Sequence, residues 1–259
     1  MSEALHAEWT KLRTLPATWW LLLGVVAATV IIGATVSASV SCTPAAACHA
    51  DVTKLSLTGT YLGQAAIAIV AVLAVSGEYA TGMIATTLAA MPRRTTVLAA
   101  KAGVVTAVTL AAGLPAVLGS VLAGRLILPG HGYASANGYP ALSLANGTVL
   151  RAAAGTVLYF ALIALLSLGV ATAVRDAAVA IGAVLGLLYL FPILTEVVGS
   201  PGLARHLQQI GPMTAGLEIQ ASTGLRSLPI GPWAGLGVLA AWAAAALLAG
   251  GLLLRLRDA

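Results

Sequence analysis

Long apolar runs recur along the chain, separated by short polar stretches. About 20 residues of α-helix cross a bilayer core about 30 Å thick. Six runs reach that length: 19–40, 57–77, 97–123, 149–174, 177–198 and 233–254. Only Arg175 and Asp176 separate the fourth and fifth runs, so these two form a tight helical hairpin. The pattern predicts an all-α polytopic membrane protein with six transmembrane helices in a single domain, 1–259.

Three further segments have apolar residues at helical spacing without being long enough to cross a bilayer. Residues 1–16 are amphipathic and predict a helix lying in the membrane interface before the first span. Residues 79–94, between the second and third spans, place apolar side chains on one helical face. Residues 200–229 are too long for a plain turn and too polar for a seventh span. We expect one or two short helices there, in the outer interface.

The composition narrows the class of protein. Hydrophobic residues make up 59% of the 259 residues and charged residues only 8%, whereas a soluble domain carries about 25% charged residues. So few charges cannot cover a water-exposed surface, which excludes a soluble enzyme, a disordered chain and a nucleic-acid-binding protein. The expected surroundings are membrane lipid.

The distribution of basic residues predicts the orientation, because cytoplasmic loops are enriched in Lys and Arg. With the N-terminus inside, more of the 13 basic residues fall in inner segments than in outer ones. The inner set is Lys11, Arg13, Arg93, Arg94, Lys101, Arg175, Arg255 and Arg257, and the outer set is Lys54, Arg125, Arg151, Arg205 and Arg226. We expect a multi-pass protein of the plasma membrane with both termini cytoplasmic.

The two cysteines, Cys42 and Cys48, follow the first span closely. In this orientation they face an oxidising exterior, where such a spacing favours a small disulfide loop. Two free thiols at a membrane edge are the alternative. A zinc site is not expected, since His49 is the only other good ligand nearby.

Sequence patterns of catalysis are missing. The chain contains no H-E-x-x-H, no G-x-S-x-G and no G-x-x-x-x-G-K-[ST] pattern. We therefore expect no catalytic residue, no metal site and no bound cofactor. If ATP drives this protein, hydrolysis takes place on another chain.

Polar residues within the spans are the default sign of function in a membrane protein. Gln64 in the second span, Arg151 at the start of the fourth and Glu196 near the end of the fifth all lie toward the outer side. One interpretation is a polar patch lining the exit of a substrate pathway. The other is a hydrogen-bonded amide and an interfacial charge pair that pack the helices together.

The predicted cytoplasmic edge carries the most distinctive pattern. It comprises 8–14 (Glu-Trp-Thr-Lys-Leu-Arg-Thr), Trp19-Trp20, Glu78-Tyr79, Gly82, Ile84, Thr86-Thr87-Leu88, Pro92-Arg93-Arg94 and Lys101. This arrangement resembles the permease subunits of type-2 ABC exporters, particularly compact six-span versions. The motifs cover only residues 8–20 and 78–101, and the rest of the chain matches in topology. Relatives often carry a basic residue after the Glu-Tyr pair, where this chain has Ala80.

The resemblance implies a connecting helix at 1–16 and a cytoplasmic coupling helix within 79–94 that docks on a separate ABC ATPase subunit. The residues implied in coupling are Glu78, Tyr79, Met83, Ile84, Leu88, Arg93 and Arg94. ATP and Mg²⁺ would be bound by the partner ATPase, and a second permease copy, identical or related, would complete the pathway.

Two other classes of function remain open at this stage. One is an ATPase-independent secondary carrier, although such carriers usually combine internal repeats with ionisable residues at the bilayer midplane. The other is an accessory or immunity membrane protein. For an exporter, an apolar pathway favours a lipophilic or amphiphilic substrate such as a drug, lipid or peptide.

Overall fold

The computed structural model describes residues 6, 9–10, 16–42, 50–80, 82–83, 94–134, 137–139 and 141–256. Within these ranges the chain forms helices and connecting loops, with no strand. The helices are α1 (Pro16–Ser39), α2 (Val52–Ser56), α3 (Thr60–Ala80), α4 (Arg94–Ile127), α5 (Gly147–Val174), α6 (Ala177–Val197), α7 (Pro201–Ile210), α8 (Pro212–Leu217) and α9 (Pro232–Leu256). Two short 3₁₀ turns, Leu128–His131 and Glu218–Gln220, follow α4 and α8.

Six of the described helices, α1, α3, α4, α5, α6 and α9, are long and apolar enough to cross a membrane. The predicted all-α, six-span fold is therefore confirmed. The third span is longer than its apolar run, since α4 begins at Arg94 and continues to Ile127. Of the predicted N-terminal helix, His6, Trp9 and Thr10 are described and helical, and the Thr10 hydroxyl donates to the His6 carbonyl at 2.8 Å. Its other residues up to 15 lie outside the described ranges.

The six spans alternate in direction, so each end of the bundle collects alternate connections. The Glu78 end, as we call it, comprises the start of α1, the end of α3, the start of α4, the α5–α6 connection and the end of α9. The Glu196 end comprises the opposite termini of these helices together with α2, α7 and α8.

Helix α5 forms the centre of the bundle and packs against α3, α4, α6 and α9. It is apolar around its whole circumference, as expected of an enclosed helix, and its Tyr159, Phe160 and Ile163 side chains are completely buried. It approaches the backbone of α9 closely, since a Cβ on Gly169 would lie 2.4 Å from the Ala246 carbonyl carbon. Only glycine permits this backbone-to-backbone contact.

The segment between α6 and α9 divides into a surface part and a buried part. Helix α7, one of the short helices predicted for this segment, has no buried residue. Helix α8 and the 3₁₀ turn after it lie in the core, where Met213 and Ile219 are almost completely enclosed. Gly211 and Pro212 separate the two parts, and Pro212 starts α8 at a position that proline favours.

Candidate functional site

A buried ion pair lies at the Glu78 end, between the last turns of α3 and the first turns of α4. The Lys101 ammonium lies 2.6 Å from the Glu78 carboxylate, and the two side chains are only 5% and 7% exposed. Opposite charges this far from water stabilise each other, because burial of a single charge carries a large desolvation cost. The pair therefore fixes the end of α3 to α4.

The α5–α6 connection joins the same junction. The Arg175 guanidinium lies over the ring of Tyr79, 5.5 Å from its centroid, within the range of a cation–π interaction. Arg175 ends α5 in the left-handed conformation, with φ of 66°, and the neighbouring Asp176 accepts from the Val179 N–H at 2.8 Å, at the start of α6. The end of α3, the start of α4 and the α5–α6 connection thus meet at Glu78, Tyr79, Lys101 and Arg175.

The sequence-predicted coupling residues fall only partly within the described ranges. Glu78 and Tyr79 belong to the junction, and Met83 is exposed beyond the end of α3. The backbone of Arg94 begins α4. Ile84, Leu88 and Arg93 lie outside the described residues.

At the Glu196 end, Asp51 joins two segments that are far apart in the sequence. Its carboxylate accepts from the Thr53 and Lys54 N–H groups at 3.0 and 3.2 Å, capping the short helix α2. It also accepts from the Ser222 N–H and hydroxyl at 2.5 and 2.6 Å, and from the Thr223 N–H at 2.9 Å. The loop after α8 is thereby held against the start of α2.

These hydrogen bonds set the acidity of Asp51. Burial by itself raises the pKa of the carboxyl, but donation from the Ser222 hydroxyl and from the Thr223, Ser222 and Lys54 N–H groups outweighs burial. The pKa of Asp51 consequently lies below its ordinary value, since bonds to the charged form favour ionisation. Asp51 is an anion at neutral pH.

Two further contacts hold the α8 region in place. The Lys54 ammonium pairs with the Glu218 carboxylate at 2.7 Å, and an Arg151 guanidinium nitrogen donates to the Ala221 carbonyl. Arg151 thus binds the backbone after α8, and no ion pair joins it to Glu196 among the described residues. Arg151, one of the three predicted pathway residues, thus holds the backbone after α8 in position.

Gln64 lies deeper, in a fully enclosed polar contact. Its carbonyl oxygen accepts from the Tyr159 hydroxyl, and its amide nitrogen lies 3.0 Å from the Met213 sulfur. The three side chains belong to α3, α5 and α8 and are at most 2% exposed. This arrangement corresponds to the hydrogen-bonded packing amide that the sequence offered as one interpretation of Gln64.

A cavity of about 800 Å³ opens beside these contacts, between α2, α3, α6 and the α7–α8 region. Its volume is within the range of small-molecule sites, about 300–1,000 Å³. Glu196 lines the cavity with Lys54, Tyr61, Gln208, Met213 and Glu218. Within the described part of the chain, the Glu196 carboxylate has neither an ion-pair nor a hydrogen-bond partner. Of the predicted pathway residues, Glu196 alone faces this space.

The sequence patterns do not identify several functional candidates of this region. Asp51 precedes Val-Thr-Lys, and an aspartate directly before a helical turn is a readable N-cap signal. The Lys54–Glu218 pair spans 164 positions, so no local pattern could reveal it. Tyr61 lines the cavity with residues of other helices, which its own position in the sequence does not reveal.

Cys42 is disulfide-bonded, and the described part of the chain contains no free cysteine. Its predicted partner, Cys48, is the other cysteine of the sequence and lies outside the described ranges. The Cys42 N–H donates to the His131 carbonyl at 2.8 Å, which attaches this segment to the loop after α4.

Among the described residues, no group of three or more His, Cys, Asp or Glu side chains is arranged to hold a metal ion. No protein-family model matches the chain, and no curated protein matches it.

Proposed function

We propose that this chain is the membrane-spanning permease subunit of an ATP-driven ABC exporter, with ATP and Mg²⁺ bound by a separate ATPase subunit. The observation that carries the proposal is the buried Glu78–Lys101 ion pair. It lies directly at the base of residues 79–94, the segment whose sequence resembles a coupling helix. Because the pair joins α3 to α4 next to this segment, a movement of the segment would be passed to both helices.

The mechanism follows from the connections at the Glu78 end. Residues 81–93 connect α3 to α4, whose adjoining ends are joined by the ion pair, and Arg175 on Tyr79 adds the α5–α6 connection. A partner pushing on the connecting segment would move these spans together rather than bend one of them. Coupling of this kind requires packed elements with two discrete arrangements.

The Glu196 end would be the outer side in this proposal, with both termini cytoplasmic in the plasma membrane. ATP-driven closure of the ATPase pair would open the pathway toward this end, and the permease itself would perform no bond chemistry. A second permease copy, identical or related, would complete the pathway. Helix α6 offers an extensive apolar surface for membrane contacts, since Ala180, Val184 and Leu188 are its only buried side chains.

The decisive experiment is a pull-down of the tagged chain from its native membrane in gentle detergent, followed by mass spectrometry. Recovery of a Walker-motif ATPase in roughly equal amount supports the exporter. Reproducible recovery of a monodisperse protein without an ATPase would overturn it and favour a secondary carrier or an accessory or immunity protein.

Two matched variants locate the contact. Ile84→Asp places a charge on the apolar face predicted for the coupling helix and should abolish ATPase recovery. Leu225→Asp places the same charge on an exposed residue at the Glu196 end and should leave recovery unchanged. Equal ATPase recovery with both variants would contradict docking at residues 79–94.

A further inference from the structure

We infer that the cavity at the Glu196 end binds lipophilic cations, with Glu196 as the charge-recognition residue and Tyr61 as an aromatic contact. If the chain is the exporter proposed above, these cations are its transport substrates, and only that step rests on the proposed function. The binding site itself follows from the walls and charges of the cavity.

The walls are mainly apolar. Leu55, Ile193, Met213 and Leu217 all line the cavity, so a ligand gains free energy by burying hydrocarbon there. Sugars and inorganic ions would lose hydration without equivalent compensation on such walls. The cavity therefore favours molecules with a substantial apolar body.

The charges lining the cavity are unequal in sign. Among the described residues, the charged side chains on its wall are Asp51, Lys54, Glu196 and Glu218, three acids against one base. Lys54 and Glu218 neutralise each other at 2.7 Å, and Asp51 already accepts several hydrogen bonds. Glu196 is the carboxylate that remains available to a ligand, so a cation is favoured and an anion is disfavoured.

Tyr61 supplies a third element of recognition. Its backbone carbonyl accepts from the Tyr189 hydroxyl, which fixes its position in α3, while its side chain is 47% exposed and lines the cavity. Aromatic faces attract cations, most strongly those that are weakly hydrated, such as quaternary ammonium groups. A carboxylate and an aromatic ring on apolar walls form a suitable site for a bulky organic cation.

Binding can be measured on the purified chain in lipid nanodiscs without any ATPase, using radiolabelled tetraphenylphosphonium. Its near-isosteric anion, tetraphenylborate, is the ligand control, and empty nanodiscs report partition into lipid. We expect saturable binding of the cation above the lipid background and no saturable binding of the anion. Absence of saturable cation binding, or equal saturable binding of both ions, would overturn the inference.

Variants assign the recognition to named residues. Glu196→Gln should weaken cation binding about tenfold, because one nearby charge is lost. Asp176→Asn removes the same charge at the Glu78 end and should leave the affinity unchanged. Tyr61→Phe should retain binding, whereas Tyr61→Leu should lose about three- to tenfold. Unchanged affinity in both monodisperse Glu196→Gln and Tyr61→Leu proteins would refute the assignment.

The two proposals fail in distinguishable ways. Lack of a copurifying ATPase would remove the exporter and leave cation binding as measured in the nanodisc. Lack of cation binding in a chain that recovers its ATPase would remove the substrate class and leave the exporter.

Discussion

The Lys101 ammonium lies 2.6 Å from the Glu78 carboxylate, with both side chains enclosed between α3 and α4. An isolated carboxylate or ammonium at this position would be strongly unfavourable. The pair thus compensates two desolvated charges and, in doing so, fixes the relative position of two helices at the point where the connecting segment leaves them.

A double-mutant cycle measures this relationship. Glu78→Gln and Lys101→Met should each lower the free energy of unfolding by about 3 kcal/mol, since each leaves the other charge buried. The double variant should lose clearly less than the sum of the two. Thermal unfolding in detergent provides the measurement, and Lys101→Arg, which retains the charge, is the control. Additive losses would show that the two charges are not coupled.

The contact between α5 and α9 gives a second prediction. Gly169→Ala should destabilise the protein by about 1–3 kcal/mol, because the new Cβ would lie within 2.4 Å of the α9 backbone. Gly182→Ala, in the spanning helix α6, meets open space and should be neutral or slightly stabilising through helix propensity. The measurement is the apparent melting temperature of each variant relative to the wild-type protein. Equal effects would contradict the close packing of α5 on α9.

The sequence predicted the spans because their length and apolar character are fixed by the bilayer rather than by tertiary contacts. It did not predict that α8 is buried, since its six residues, Pro212–Leu217, are too short to show a period. Their burial depends on partners elsewhere in the chain, such as Gln64 and Tyr159. Local patterns cannot contain that information.

The candidate site residues show the same difference between what local sequence predicts and what depends on distant segments. Glu196 was noticeable as a carboxylate in an apolar helix, and the structure adds the cavity in front of it. Arg151 and Gln64 are also polar residues in apolar helices. Their hydrogen-bond partners belong to distant segments: Ala221 for Arg151, and Tyr159 and Met213 for Gln64. A polar residue in a span signals a cost that must be compensated. Whether packing or a ligand compensates it requires the fold.

The Gln64–Tyr159 contact yields a third prediction. Tyr159→Phe removes the donor and leaves the fully buried Gln64 carbonyl unsatisfied, which should cost about 1–3 kcal/mol. The double variant Tyr159→Phe with Gln64→Leu removes both polar partners and should recover most of the loss. Chemical or thermal unfolding of the three proteins in detergent tests this. A double variant less stable than Tyr159→Phe alone would contradict an unsatisfied Gln64 carbonyl as the cause of the loss.

Orientation and the disulfide can be tested together by thiol labelling of intact cells. We expect no reaction of Cys42 or Cys48 with a membrane-impermeant maleimide until an impermeant reductant is added, because Cys42 is disulfide-bonded and its end of the bundle is predicted to lie outside. In a Cys42→Ser, Cys48→Ser background, Ser227→Cys should be labelled in intact cells and Asp176→Cys only after lysis. The reverse pattern would place the termini outside.

Asp51 provides a prediction with a defined pH dependence. Asn at position 51 keeps one acceptor oxygen but loses the charge and the second acceptor, so Asp51→Asn should lower the free energy of unfolding by about 2 kcal/mol at pH 7.

The pKa of Asp51 is lowered in the folded protein, so the unfolded chain takes up this proton first as the pH falls. Its stabilisation is therefore complete at neutral pH and is lost progressively below about pH 4. The difference in melting temperature between wild type and Asp51→Asn should shrink accordingly between pH 7 and pH 3. Asp176→Asn removes the charge of an N-capping carboxylate and keeps an acceptor for its one N–H contact, so it is the control for a general effect of losing a carboxylate. A difference that stays constant over this range would show that the hydrogen bonds from Ser222 and Thr223 do not depend on the charge of Asp51.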